Sequence, residues 1–246
     1  MIALLRAELL KLRTTRTFVA LTASALALSL LVVVLRTTLS SDFGEQEVRD
    51  LFTGDFTVLF ILLLGVMGMA GEWRHKTITS SVLAAPVRAR LVAAKVLSYA
   101  VAGAVVSLIV TVAMMAVALP LLAGQGEPTL GLADLADVLW RNLAVAALLG
   151  SFGVCIGALV RSQVVAIVGL LVFSFVLEPA VLSLEPDVGR FGPTSGAPSG
   201  IQALDELDDF GGVDLLAPGI ALLVMIGWVA LGSVAAAAVV RRRDLV

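Results

Sequence analysis

Residues 18–35 read FVALTASALALSLLVVVL, eighteen positions without one charged side chain. A helix of about 20 mainly apolar residues crosses roughly 30 Å of hydrocarbon. In that medium only helices and closed barrels pair every backbone amide and carbonyl. Five further stretches of the same character follow, at about 52–70, 96–122, 139–160, 164–184 and 215–240. Of the 246 residues 59% are hydrophobic and only 15% charged, against about a quarter charged in an ordinary soluble domain. The expectation is an all-α integral membrane protein, a single domain over residues 1–246 with six transmembrane helices. Asp55 and Glu178 make the second and fifth spans the least clean. Basic residues precede the first run as in a secretory leader, but the run reaches Leu35 with no small-residue cleavage site beyond it, which suits a retained span.

Charge distribution orients the spans. With both termini placed inside, the inner segments hold thirteen of the seventeen Lys and Arg residues: Arg6, Lys11, Arg13, Arg16, Arg74, Lys76, Arg88, Arg90, Lys95, Arg161, Arg241, Arg242 and Arg243. Only Glu8, Glu72 and Asp244 among the nineteen acids fall there. Lys and Arg are retained in the cytoplasm during insertion, so both termini are expected to be cytoplasmic, in a multi-pass protein of the cell membrane. Of the outer segments, residues 36–51 are short and acidic, and 123–138 form an acidic turn. The longest, about 185–214, is rich in Gly, Pro and Ser, which favours irregular backbone. Within it SGIQALDELDDF has the composition of one short helix, and Asp214 is placed to cap the last span, with Pro218 in its first turn.

Little in the chain suggests chemistry. A zinc protease needs two histidines on one helix face, and His75 is the only histidine. It falls on the cytoplasmic side, away from every serine in a span, which disfavours a Ser-His hydrolase. Cys155 is the only cysteine, and no Gly-x-x-x-x-Gly-Lys-Ser/Thr phosphate loop occurs. No catalytic, metal or cofactor site is expected on this chain, and no nucleic-acid partner.

Two inner segments are distinctive. Residues 2–13, IALLRAELLKLR, place Ile2, Leu5, Leu9 and Leu12 on one helical stripe with basic residues beside it. Such a helix, about 2–14, suits the headgroup layer, in plane with the membrane, before a bend at Thr14–Thr17. Residues 71–95, GEWRHKTITSSVLAAPVRARLVAAK, lie between the second and third spans. Thr77–Ala85 are small or apolar, with Val82 and Leu83 exposed in any helical turn outside lipid. Pro86 interrupts that helix, and VRARLVAAK begins another that runs into the third span. Apolar anchors ringed by cations are the anatomy of a protein-docking patch.

The order Glu72, Arg74, His75, Thr77, Leu83, Pro86, Arg88 or Arg90 and then Lys95 resembles the cytoplasmic loop of type 2 ATP-binding-cassette permeases. The resemblance extends to six spans, cytoplasmic termini and an N-terminal in-plane helix, while its specific residues occupy about 25 positions of the loop; the family usually has glycine where Lys76 stands. It implies that Thr77–Pro86 form a coupling helix docking on a separate ATPase subunit, present in two copies. Glu72, Arg74, His75, Thr77, Val82, Leu83, Pro86, Arg88 and Arg90 would then be docking residues. It also implies a second permease chain, identical or similar, with ATP and Mg held by the ATPase. The function expected is outward movement of a hydrophobic or amphipathic substrate (drug, lipid or peptide).

The alternative is a stand-alone secondary transporter or channel driven by an ion gradient, which needs an ionisable group near the bilayer midplane. Glu178 is the candidate. Followed by Pro179, it has two readings: a helix break bordering an exit path, or a residue already at the interface where the span ends. Arg36 and Arg141 lie at outer boundaries, where they can snorkel, and Trp73 and Trp140 lie near span ends. Gly65, Gly68 and Gly71, with Gly150, Gly153 and Gly157, allow close helix approach, either within one subunit or at a dimer seam.

Overall fold

A computed structural model describes residues 2–40, 43–53, 56–74, 88–160, 162–203 and 214–242. Every regular element among them is helical. The N-terminal α1 (Ile2–Thr14) is separated from α2 (Arg16–Leu39) by Thr15, whose backbone is extended. The bend expected at 14–17 therefore falls on Thr15, where the Thr14 hydroxyl turns back onto the Leu10 carbonyl at 3.0 Å. Short α3 (Glu45–Thr53) precedes α4 (Thr57–Arg74). Phe52, the expected start of the second apolar run, and Thr53 complete the first of these two helices.

Beyond the undescribed residues 75–87, α5 (Arg88–Gln125) continues without interruption, so the basic stretch ahead of the third span forms its first turns. It is followed by α6 (Leu132–Leu159), α7 (Gln163–Leu184), α8 (Pro186–Gly189), α9 (Gly196–Gln202) and α10 (Pro218–Arg242). Among the described residues six helical stretches are long and apolar enough to cross a bilayer: α2, α3 with α4, α5, α6, α7 and α10. In the long segment after α7, the helix α9 includes Ser199–Gln202 at the start of SGIQALDELDDF and ends at Ala203, whose φ of 51° is left-handed; residues 204–210 lie outside the described residues. Asp214 does not cap α10; the Ala217 carbonyl accepts the first helical N–H bonds, and Pro218 opens the helix as expected.

The bundle is organised around α6. Its most apolar stretch is 67% buried, against 17% each for α2, α7 and α10. It packs most extensively on α4 and α5, and then on α10. Glycine makes this possible. An added Cβ at Gly157 would stand 2.6 Å from the Val66 carbonyl oxygen, and one at Gly150 2.5 Å from that of Tyr99. Gly65 lies against Gly150 and Gly153 in the same seam. Where the solvent is hydrocarbon, helices gain association energy from such close backbone approach and from hydrogen bonds between them. Ser151 adds one, donating to the Val96 carbonyl of α5 at 3.2 Å. These glycines therefore serve packing inside one subunit.

Gly153→Val should force α4 and α6 apart, costing about 1–3 kcal/mol or more because the obstacle is backbone. Gly227→Ala in α10, where nothing stands within 4 Å of the new methyl, is the control. Thermal unfolding in detergent should lower the midpoint of the first and leave the second with the parent.

Candidate functional site

Three segments converge at one end of the bundle: α1, the last turns of α4 and the first turns of α5. On α1 the expected stripe is turned. Glu8 and Leu12 are its buried residues, while Ile2 is 71% exposed. Leu5, Glu8 and Leu12 share a face at helical spacing. An acid stands in the middle of that face because a cation lies opposite it.

The cation is Lys95, fully buried. Its Nζ donates to Glu8 Oε2 at 2.7 Å and to Glu72 Oε1 at 2.9 Å. Lys11, half exposed, donates to the same Glu72 carboxylate and lies 3.7 Å from Glu8 Oε1. Two carboxylates and two ammonium groups thus form a neutral cluster. Burial lowers the Lys11 pKa, but the hydrogen bond and charge of Glu72, with the charge of Glu8, outweigh it and hold the group above the ordinary lysine value. An unpaired buried charge costs several kcal/mol, so each member depends on the others for its place.

The cluster forms one wall of a cavity of about 310 Å³. Leu12, Phe18, Leu64 and Met67 provide its apolar side, and Gln163 and Tyr99 add polar atoms. The Tyr99 ring lies over Gly68, where any side chain would collide with it.

Of the expected docking residues, Glu72 is turned inward, 4% exposed, and its basic partners belong to this chain. Lys95 and Lys11 supply the opposite charge that lets the carboxylate sit there away from water. Arg74 is exposed at the end of α4 and donates to Gln163 Oε1 at 3.4 Å. Arg88 is the first residue of α5, and Arg90, two residues on, is exposed. His75, Thr77, Val82, Leu83 and Pro86 lie outside the described residues.

Sequence reasoning used Lys95 only as a marker of the loop and gave Glu8 and Lys11 no role beyond their charge. The available signal was one acid within an otherwise basic helix.

Glu178 does not mark the expected helix break. The helix does not break at Pro179; a π-helical turn at Phe173–Leu177 precedes the proline, and α7 continues to Leu184. That turn shifts the hydrogen-bond pattern by one residue: the Glu178 N–H bonds the Phe173 carbonyl just before the position where proline has no N–H to give. The carboxylate is turned into the protein. It is 3% exposed and accepts N–H bonds from Thr194 at 3.0 Å, Ser195 at 2.7 Å and Gly196 at 3.1 Å, with the Thr194 hydroxyl added.

The segment it holds folds over the far end of the bundle. Arg141 donates to the Ile201 carbonyl at 2.9 Å and to Asp137 at 2.7 Å rather than reaching outward. Gln202 donates to the Thr53 carbonyl and to Asn142, each at 3.0 Å.

Two substitutions test these arrangements. Lys95→Met leaves Glu8 buried against an apolar side chain and should cost about 3–5 kcal/mol, read as a lowered unfolding midpoint. Glu178→Ala removes an acceptor whose charged hydrogen bonds each contribute about 1.5–3 kcal/mol. Amide exchange should speed up at residues 194–196 while α6 stays protected.

Residues 4–177 match the model of the ABC-2 family transporter proteins. No curated protein matches the chain. The match spans more than half of a chain with six membrane-length helices, and so the protein belongs to the ABC-2 transporter family, as a multi-pass membrane permease component.

Proposed function

We propose that this chain is the membrane-spanning subunit of an ATP-driven exporter, working as a dimer with itself or a similar chain on two separate ATPase subunits. The observation that carries the reading is the family match over residues 4–177. The distribution of Lys and Arg supports it by putting both termini and the loop 75–87 in the cytoplasm. Thr77–Pro86 provide the coupling helix, with Val82 and Leu83 as apolar anchors and His75, Arg74, Arg88 and Arg90 around them. ATP and Mg stay on the partner, and this chain contributes no catalytic residue. ATP binding draws the two ATPases together, displaces the coupling helices and rocks the spans, opening an outward path. In this reading α1 lies along the inner headgroup layer. Apolar walls with few polar anchors suit a lipid, a hydrophobic drug or an amphipathic peptide.

The gradient-driven alternative loses its candidate residue. A carboxylate already occupied by three backbone N–H groups and a hydroxyl is poorly placed to bind and release a coupling ion.

Tagged protein purified from its own membranes in mild detergent should carry a stoichiometric ATP-binding subunit with ATPase activity. Leu83→Asp should abolish that association by placing charge on the apolar anchor, while the variant still inserts in the membrane. Full retention of the ATPase by Leu83→Asp, or its absence from the unaltered protein, contradicts the proposal.

A further inference from the structure

Glu72 lies two residues before the end of α4, and Lys95 lies in the second turn of α5. Their contact at 2.9 Å therefore closes the base of the loop that joins the two helices. The same ammonium reaches Glu8 on α1 at 2.7 Å, a residue far away in sequence. One buried cation thus joins three helices at the point where the loop leaves the bundle. Apolar packing alone allows helices to slide. An ammonium shared between two carboxylates away from water does not, since separation leaves charge in a medium that solvates it poorly.

We infer that Lys95, with Glu8 and Glu72, is a mechanical clamp: it makes α1 and the two helix ends flanking the loop move as one body, so that a pull on the loop displaces α1. The inference rests on the proposed coupling to an ATPase. It assigns positioning residues to that coupling and gives α1 a part in it. The cluster has the charge balance for this task. Lys11 remains paired with Glu72 when the Glu8–Lys95 contact is removed, so the clamp can be opened without stranding a charge.

That balance defines the test. Spin labels at exposed Arg6 on α1 and Leu97 on α5, introduced as Arg6→Cys and Leu97→Cys, report the distance between the two helices. The complex with its ATPase is placed in lipid nanodiscs and measured with and without a non-hydrolysable ATP analogue. With the clamp intact, the distance distribution should be narrow and the same in both conditions. In the charge-balanced variant Glu8→Gln/Lys95→Met it should widen and become nucleotide-dependent. A purely structural role would change stability without making the position of α1 respond to nucleotide. A nucleotide-dependent distance in the unaltered clamp, or an unchanged narrow distribution in the double variant, overturns the inference. If no ATPase associates, the transport reading falls on that ground. The clamp is then judged in the permease alone, where the double variant must still broaden the distribution for the inference to stand.

Discussion

Lys95 is the residue on which this end of the protein depends. An ammonium group fully removed from water is stable only beside compensating charge, and two carboxylates provide it from different parts of the chain. Glu8 is held on the buried face of α1 by that demand, and α1 is thereby held against the bundle. Glu72 is drawn inward although it closely precedes a strongly cationic loop. Lys11 completes the neutral set from the exposed side.

The opposite end relies on a different device. Glu178 gathers successive backbone N–H groups at Thr194–Gly196, and Arg141, Asn142 and Gln202 tie neighbouring helices across the top. The clamp joins charged side chains, whereas the far cover joins side chains mainly to backbone. Between the two ends runs the glycine seam of α4, α5 and α6, where backbones approach closely and Ser151 adds a hydrogen bond. The peripheral helices α2, α7 and α10 leave broad apolar faces, as membrane spans do.

Much of the fold was legible in the sequence because the bilayer constraint is strong. Six long apolar runs have few alternatives to six helices, and the spacing of Gly150, Gly153 and Gly157 already marked a face for close approach. The bend at Thr15 and the helical lead into the third span were equally readable. Contacts between distant segments were not. Hydropathy ranks Glu8 as a flaw in an amphipathic stripe; only the position of Lys95 across the bundle turns that residue inward. Pro179 reads as a break because proline removes a hydrogen bond, and a π turn that accommodates it leaves no pattern in residue types. Asp214 has the chemistry of a cap but stands too far ahead of Pro218, where the helix begins.

In the proposed reading, an ATP-binding partner applies force to the loop between α4 and α5, and the Lys95 cluster at the base of that loop transmits it. Electron cryomicroscopy of the purified complex, with and without a nucleotide analogue, tests this most directly. The account predicts that Thr77–Pro86 lie in a groove of the ATPase and that Lys95 keeps both Glu8 and Glu72 as partners in the two states. An ATPase bound elsewhere, or a loop on the opposite side of the membrane from it, would contradict it.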